Sequence, residues 1–251
     1  QTRRCFYYLP ATGEPVKIVH AIEAAALDSL PSEKRVYLPW PQLHELLHET
    51  LSGQERVAMQ YSPNNAIPYV SRVDAGTVEL IRSFGVEIVS SADLVQHFEA
   101  VLTEEQLTTH IKAGEKLGKL VMRAFEEIAR RVQDGSEVTE VNVQEFLLAG
   151  LQGAGLETDH PPIVAVNEHS ADPHYVPSKQ KHTPIRANDF VLIDLWAKQA
   201  KPGAIFADIT WTGYVGSSVP DEYVEIFNIV LDARDAAIEA DVAGRLVDND
   251  W

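Results

Sequence analysis

Phe190-Val191-Leu192-Ile193-Asp194-Leu195-Trp196 is a strongly apolar strand interrupted by a single carboxylate. A charge in such a run is costly unless something compensates it. Lys201-Pro202-Gly203 follows as a turn, and Ile205 to Tyr214 reads as a second strand that carries Asp208. In a hairpin centred on Lys201, Asp194 and Asp208 lie equally far from the turn. They would then face each other directly on adjacent strands, with Cβ atoms about 5 Å apart. Like charges so placed repel, and the arrangement calls for a shared proton or a cation. Carboxylates without thiols suit Mn²⁺, Zn²⁺ or Co²⁺. The alternative is a bulge that displaces one aspartate, which then binds only water or a turn.

Upstream of this hairpin, the pattern is helical. Thr103-Glu104-Glu105-Gln106 is a capping-box sequence. Behind it Ile111, Leu117, Leu120, Val121, Ala124, Phe125, Ile128 and Val132 recur at helical spacing, and Gly135 ends the run. Thr139 can cap a second helix through Phe146 and Leu151, fading in Gly150, Gly153 and Gly155. A strand, Ile163 to Val166, and a Pro- and His-rich loop, His169 to Pro184, lead into the hairpin. An amphipathic helix over about Asp221 to Ala240 follows it. Helices, strands and a helix make residues 96–251 an α+β domain.

Residues 1–95 read differently. Cys5 to Leu9 and Val16 to His20 suggest a hairpin, and short strands at Val36 to Leu38, Val57 to Gln60 and Val86 to Val89 alternate with helices at Pro41 to Leu51 and Asp74 to Ser83. This is the pattern of a small α/β domain.

Composition narrows the partners. Lys plus Arg number 21 against 37 Asp plus Glu, a formal charge of −16, which argues against nucleic acid or an anionic membrane surface. No apolar run reaches the roughly 20 residues of a membrane helix. Cys5 is the one cysteine, which fits a reducing compartment and implies a cytoplasmic protein.

Two further motifs carry chemistry. In Asp172-Pro173-His174-Tyr175-Val176-Pro177 the prolines brace a histidine able to move a proton near neutral pH. His44-Glu45-Leu46-Leu47-His48 matches the zinc pattern H-E-x-x-H, but on a short helix whose leucines read as an ordinary amphipathic face. Gly114-Glu115-Lys116-Leu117-Gly118-Lys119 is one residue short of a phosphate loop and sits inside a helix.

Asn167, the Asp172-Pro173-His174-Tyr175 loop, Asn188-Asp189-Phe190-Val191-Leu192-Ile193-Asp194 and Asp208-Ile209-Thr210-Trp211-Thr212-Gly213 occur in the order found in the pita-bread metallopeptidases. The chain resembles that family, which includes methionine aminopeptidase, aminopeptidase P, prolidase and the non-peptidase creatinase. Residues 1–95, notably Met59-Gln60-Tyr61-Ser62-Pro63-Asn64-Asn65-Ala66-Ile67-Pro68, resemble the creatinase/prolidase-type N-terminal domain. Residues 96–251 resemble the first part of the pita-bread catalytic domain.

The resemblance implies that Asp194 and Asp208 are metal ligands, with Asp208 bridging two divalent ions (Mn, Co or Zn). It implies that His174 contacts the substrate, with Tyr175 beside it, and that a metal-activated water hydrolyses N-terminal or Xaa-Pro peptide bonds. Trp211 stands where the family often has arginine, and the aspartates are 14 residues apart, a longer interval than is usual there. The family completes its site with one His and two Glu downstream, whereas all nine histidines here lie at or before His182. The chain is therefore expected to be an incomplete, weakly active form, a homo-oligomer such as a dimer, or a piece completed by a partner that supplies the missing half-domain. The other functions implied are a creatinase-like hydrolase that needs no metal and a non-catalytic binding or assembly protein on the same fold.

Overall fold

A computed structural model describes residues 2–242. The chain divides into two compact units, Gln1–Val101 and Leu102–Trp251. The division falls after a helix at Ala92–Glu99 that the sequence pattern did not predict, so the first unit runs past residue 95.

In the first unit, β1 (Phe6–Tyr8) pairs antiparallel with β2 (Val16–His20), which pairs in parallel with β3 (Glu33–Tyr37). A separate parallel pair joins β4 (Arg56–Met59) and β5 (Glu87–Ser90). Helices α1 (Trp40–Thr50), α2 (Ala75–Ser83) and α3 (Ala92–Glu99) complete the unit. Leu43 and Leu47, one turn apart on α1, pack with Ile18 and Tyr37. Val78 and Ile81 of α2 pack with Val86 and Ile88. Tyr8 and Phe84 border both clusters. Asp74 caps α2, accepting from the Thr77 amide at 3.0 Å and the Thr77 hydroxyl at 2.6 Å.

The second unit is built on two helices and a sheet. Helix α4 (Glu104–Gln133) begins with the reciprocal cap of Thr103 and Gln106. Helix α5 (Glu140–Gly153) begins with the same device from Thr139 and Asn142. Gly155 adopts φ +68° just past α5, the left-handed conformation that ends a helix. Gly150 has a different role: a Cβ there would collide with Leu120, so it lets α5 cross α4 closely.

The long central strand β8 (Phe190–Gln199) pairs along one edge with β9 (Ala207–Tyr214). Its other edge is shared by two short strands, β7 (Ile163–Val166) and β6 (Leu156–Glu157), both antiparallel to it. Val191, Ile193, Leu195 and Ala197 are fully buried and pack with Leu117, Val121 and Ala124 of α4 and Leu147 of α5. The alternate residues, Leu192, Asp194 and Trp196, face the other way and are half-buried. Burial of one parity against the helices thus leaves the opposite parity available for chemistry.

Helix α6 (Asp221–Val242) closes the described chain. Val224, Ile226, Phe227, Ile229, Val230 and Ile238 along it are exposed, so its apolar residues are not gathered onto one buried face. Among the described residues no helix is long and apolar enough to cross a membrane.

Candidate active site

The register of β8 and β9 sets the geometry of the two aspartates. Asp194 faces Thr210, and Asp208 faces Trp196. The hairpin is centred on Pro202 rather than on Lys201, so the two carboxylates are diagonal neighbours and not directly opposed. The physical reason lies in the turn: Gly203 takes φ +74° and Lys201 donates its amide to Gln199, which moves the apex by one residue. Moving the apex of a two-stranded pairing by one residue changes every partner by two. Both aspartates therefore stay on the same, half-exposed face. Diagonal positions lie about 7–8 Å apart at Cα, somewhat less at Cβ, within reach of a shared ion.

Thr210 Oγ1 donates to Asp194 Oδ1 at 2.7 Å and orients that carboxylate. Partial desolvation against the sheet, reinforced by the charge on Asp194, pushes the Asp208 carboxyl above its ordinary value. Asp208 is nonetheless exposed, so solvent screens much of this repulsion. Among the described residues no group of three or more His, Cys, Asp or Glu side chains converges. The pair fits two ligand positions of a divalent ion, and a cation between the carboxylates would offset the charge that Asp194 presents to Asp208.

The same face continues away from the aspartates. Towards the Phe190–Tyr214 end it opens into an apolar pocket of about 190 Å³, floored by Thr212 and walled by Tyr223 and Phe227 of α6. Phe190 stacks on Tyr223 at 5.3 Å between ring centroids. At the other end Trp196 Nε1 donates to Asp159 at 2.7 Å, which together with His160 lowers the Asp159 pKa. Trp211 faces Ile193 in the ladder, so by alternation it belongs to the opposite face from the aspartates.

His174 and Tyr175, adjacent in sequence, have opposite environments. His174 is exposed, and its backbone amide donates to Asp172 Oδ1 at 3.0 Å. Tyr175 is 2% exposed and belongs to a small cluster with Ile163 and Ala165, against which Leu192 and Trp196 pack. Its hydroxyl donates to Glu140 Oε2 at 2.7 Å. Burial, with that hydrogen bond, pushes the phenol far above its usual pKa. Tyr175 is therefore committed to the interior, whereas its neighbour His174 remains available to a ligand.

Glu140 is the residue that sequence patterns missed. It follows the N-cap Thr139, where an acid is ordinarily a solvated partner of the helix dipole. Here it is fully buried and satisfied by four donors. Oε1 accepts from Val166 N and His169 Nδ1, each at 2.8 Å, and Oε2 from Tyr175 Oη and Thr183 N, each at 2.7 Å. Asn167 is a second such tie: its amide donates to Asp189 and its oxygen accepts from Phe190 N, joining the end of β7 to the start of β8.

The H-E-x-x-H histidines belong to other contacts. His44 packs edge-on against Trp40, and His48 against Phe84.

Residues 112–248, more than half of the chain, match the profile of Metallopeptidase family M24. The chain belongs to family M24. It is 35% identical over 153 residues to a Xaa-Pro dipeptidase of Pyrococcus furiosus, an alignment covering 59% of this chain and 39% of that protein. It is 28% identical over 148 residues to a putative Xaa-Pro aminopeptidase of Mycoplasma pneumoniae, covering 57% and 37%. The chain thus spans about two fifths of the length of the curated M24 relatives it matches. In structure it is similar to a prolidase from Thermococcus sibiricus, with a TM-score of 0.57 at 19% identity, covering 94% of this chain and 60% of that one. A dipeptidase from Pyrococcus horikoshii gives 0.54 at 20%, covering 94% and 61%. These likenesses establish the fold shared with prolidases, the pita-bread fold.

Proposed function

We propose that this M24 chain takes part in metal-dependent hydrolysis of Xaa-Pro or N-terminal peptide bonds, on the sheet face that carries Asp194 and Asp208. The observation that supports it most is the placement of both carboxylates on one half-exposed face, with Thr210 orienting one and partial desolvation, reinforced by the neighbouring charge, raising the other. Asp194 and Asp208 would hold divalent metal (Mn, Co or Zn), completed by donors other than the described side chains. A bound ion supplies Lewis-acid polarisation and a water of lowered pKa. His174 moves a proton to or from the substrate. The apolar pocket beyond Thr212 receives a substrate side chain.

Residues 1–95 are proposed as the creatinase/prolidase-type N-terminal domain. The exposed apolar residues of α6 support a covering chain, either a second copy or a partner half-domain. The compartment proposed is the cytoplasm, on the ground of the lone Cys5.

Metal content and hydrolysis of an Xaa-Pro dipeptide, measured on the chain and on Asp208→Ala and His44→Ala, test the site. Loss of metal with Asp208→Ala alone is expected, and loss with His44→Ala alone would move the site to α1. Strong hydrolysis by this chain alone would overturn the expectation of an incomplete, weakly active form.

A further inference from the structure

We infer that Glu140 is a positioning residue for His174, setting the conformation of the whole loop from Asn167 to Thr183 through one buried carboxylate. This rests on the reading of His174 as a substrate contact. An ionised carboxylate only accepts hydrogen bonds, and four donors, one at the end of β7 and three from separate parts of the loop, converge on this one. Val166 N and His169 Nδ1 hold the loop's entry, Tyr175 Oη its middle and Thr183 N its exit. Because Glu140 is an acceptor, the His169 proton resides on Nδ1.

The backbone repeats the connection. Glu140 N donates to Thr183 O, Ile185 N donates to Val138 O, and Thr139 bridges Pro184. The middle tie matters most for the site. Tyr175 packs in the cluster that includes Leu192 and Trp196, which flank Asp194 on the aspartate face. His174 is the next residue in the chain and remains exposed, so its position is set through its neighbours. The His169 ring stacks on Tyr175 at 4.2 Å, and the Lys181 ammonium lies 5.1 Å from the Tyr175 ring centroid. A carboxylate with fewer donors would leave the loop free to sample other conformations.

The test compares Glu140→Gln and Tyr175→Phe with the unmodified 251-residue chain. Glu140→Gln places an NH₂ where two donors point. Tyr175→Phe keeps the ring and removes only the middle tie, so it reports even if Glu140→Gln fails to fold. Amide hydrogen exchange is followed at residues 167–183 and at Leu147 and Ile193, with the His174 imidazole resonance and the kcat and KM for an Xaa-Pro dipeptide. We expect at least about tenfold faster exchange in the loop, unchanged exchange at Leu147 and Ile193, and a shifted His174 resonance. With turnover present, kcat should fall at least about tenfold and KM much less. Equal acceleration in loop and core, or an unmoved His174 resonance, would overturn the inference. Loop loosening and a shifted resonance on a chain that takes up no Mn²⁺ would uphold the positioning and sink the metallopeptidase reading.

Discussion

Thr210 stands directly opposite Asp194 on the neighbouring strand and donates a 2.7 Å hydrogen bond to its carboxylate. Groups that orient a metal-ligating carboxylate influence affinity without touching the ion, typically by about 10- to 100-fold. Thr210→Val keeps the branched shape that suits a strand and removes only the donor. It should weaken Mn²⁺ binding by about tenfold while leaving the melting temperature nearly unchanged. Calorimetric titration checks this, and unchanged affinity would show that Asp194 needs no such support.

Asp208→Asn should act in opposite directions on stability and on metal. It removes one of two neighbouring like charges, which destabilise a strand pair. In chelator the variant should therefore be slightly more stable than the parent, the gain kept small by the diagonal spacing and the exposure of Asp208. With divalent metal the order should reverse, since the parent alone gains from binding. Denaturant titrations with and without metal settle the point. An identical response of both proteins to metal would exclude Asp208 as a ligand.

Asp74 links acid sensitivity to the first unit. The Thr77 hydroxyl and amide hold its carboxyl below the usual aspartate range. A depressed carboxylate stabilises the fold above its unfolded pKa, about 4, and this contribution is lost as pH falls through the folded value. Asp74→Ala should cost about 1 kcal/mol at neutral pH, the usual loss for an N-cap. Asp74→Asn should keep most of the cap and lose its acid dependence. Amide exchange within α2, compared between neutral and acidic pH, separates the three proteins.

Two glycines three residues apart on α5 should respond oppositely to the same substitution. Gly150→Ala gains about 1 kcal/mol in helix propensity but drives a methyl into Leu120, and overpacking in a core costs about 1–3 kcal/mol. The collision should prevail and the variant should be less stable. At Gly153 nothing lies within 4 Å of an added Cβ, so Gly153→Ala should be neutral or more stable. Thermal melts of the pair distinguish contact from propensity.

Much of this architecture could be read from residues. The Thr103 and Thr139 caps, the period of Leu117, Val121, Ala124 and Ile128, and the parity of β8 all rest on local rules, and the structure follows them. Ile111 fits the same helical period yet lies exposed, because periodicity marks a stripe and not how far the partner sheet extends. The register of β8 and β9 lies beyond local rules: burial fixes the parity, but the apex depends on how Lys201 to Gly203 turn. Glu140 lies beyond them too. Its four donors come from 26 to 43 residues downstream, and nothing next to it in sequence separates a buried acid from a solvated one. Short β6, paired over two residues, has too little pattern to be seen.

The alternation along β8 divides its residues between two kinds of selection. Val191, Ile193, Leu195 and Ala197 answer to packing, where loss of a methylene is felt as stability. Asp194 answers to whatever occupies the open face, and Leu192 and Trp196 answer to it and to the Tyr175 cluster on which they pack. A saturation scan from Phe190 to Gln199, scored once for abundance and once for ligand capture, should yield two interleaved combs of intolerance offset by one position. One strand would thus record, tooth by tooth, which of its residues hold the protein together and which face its ligand.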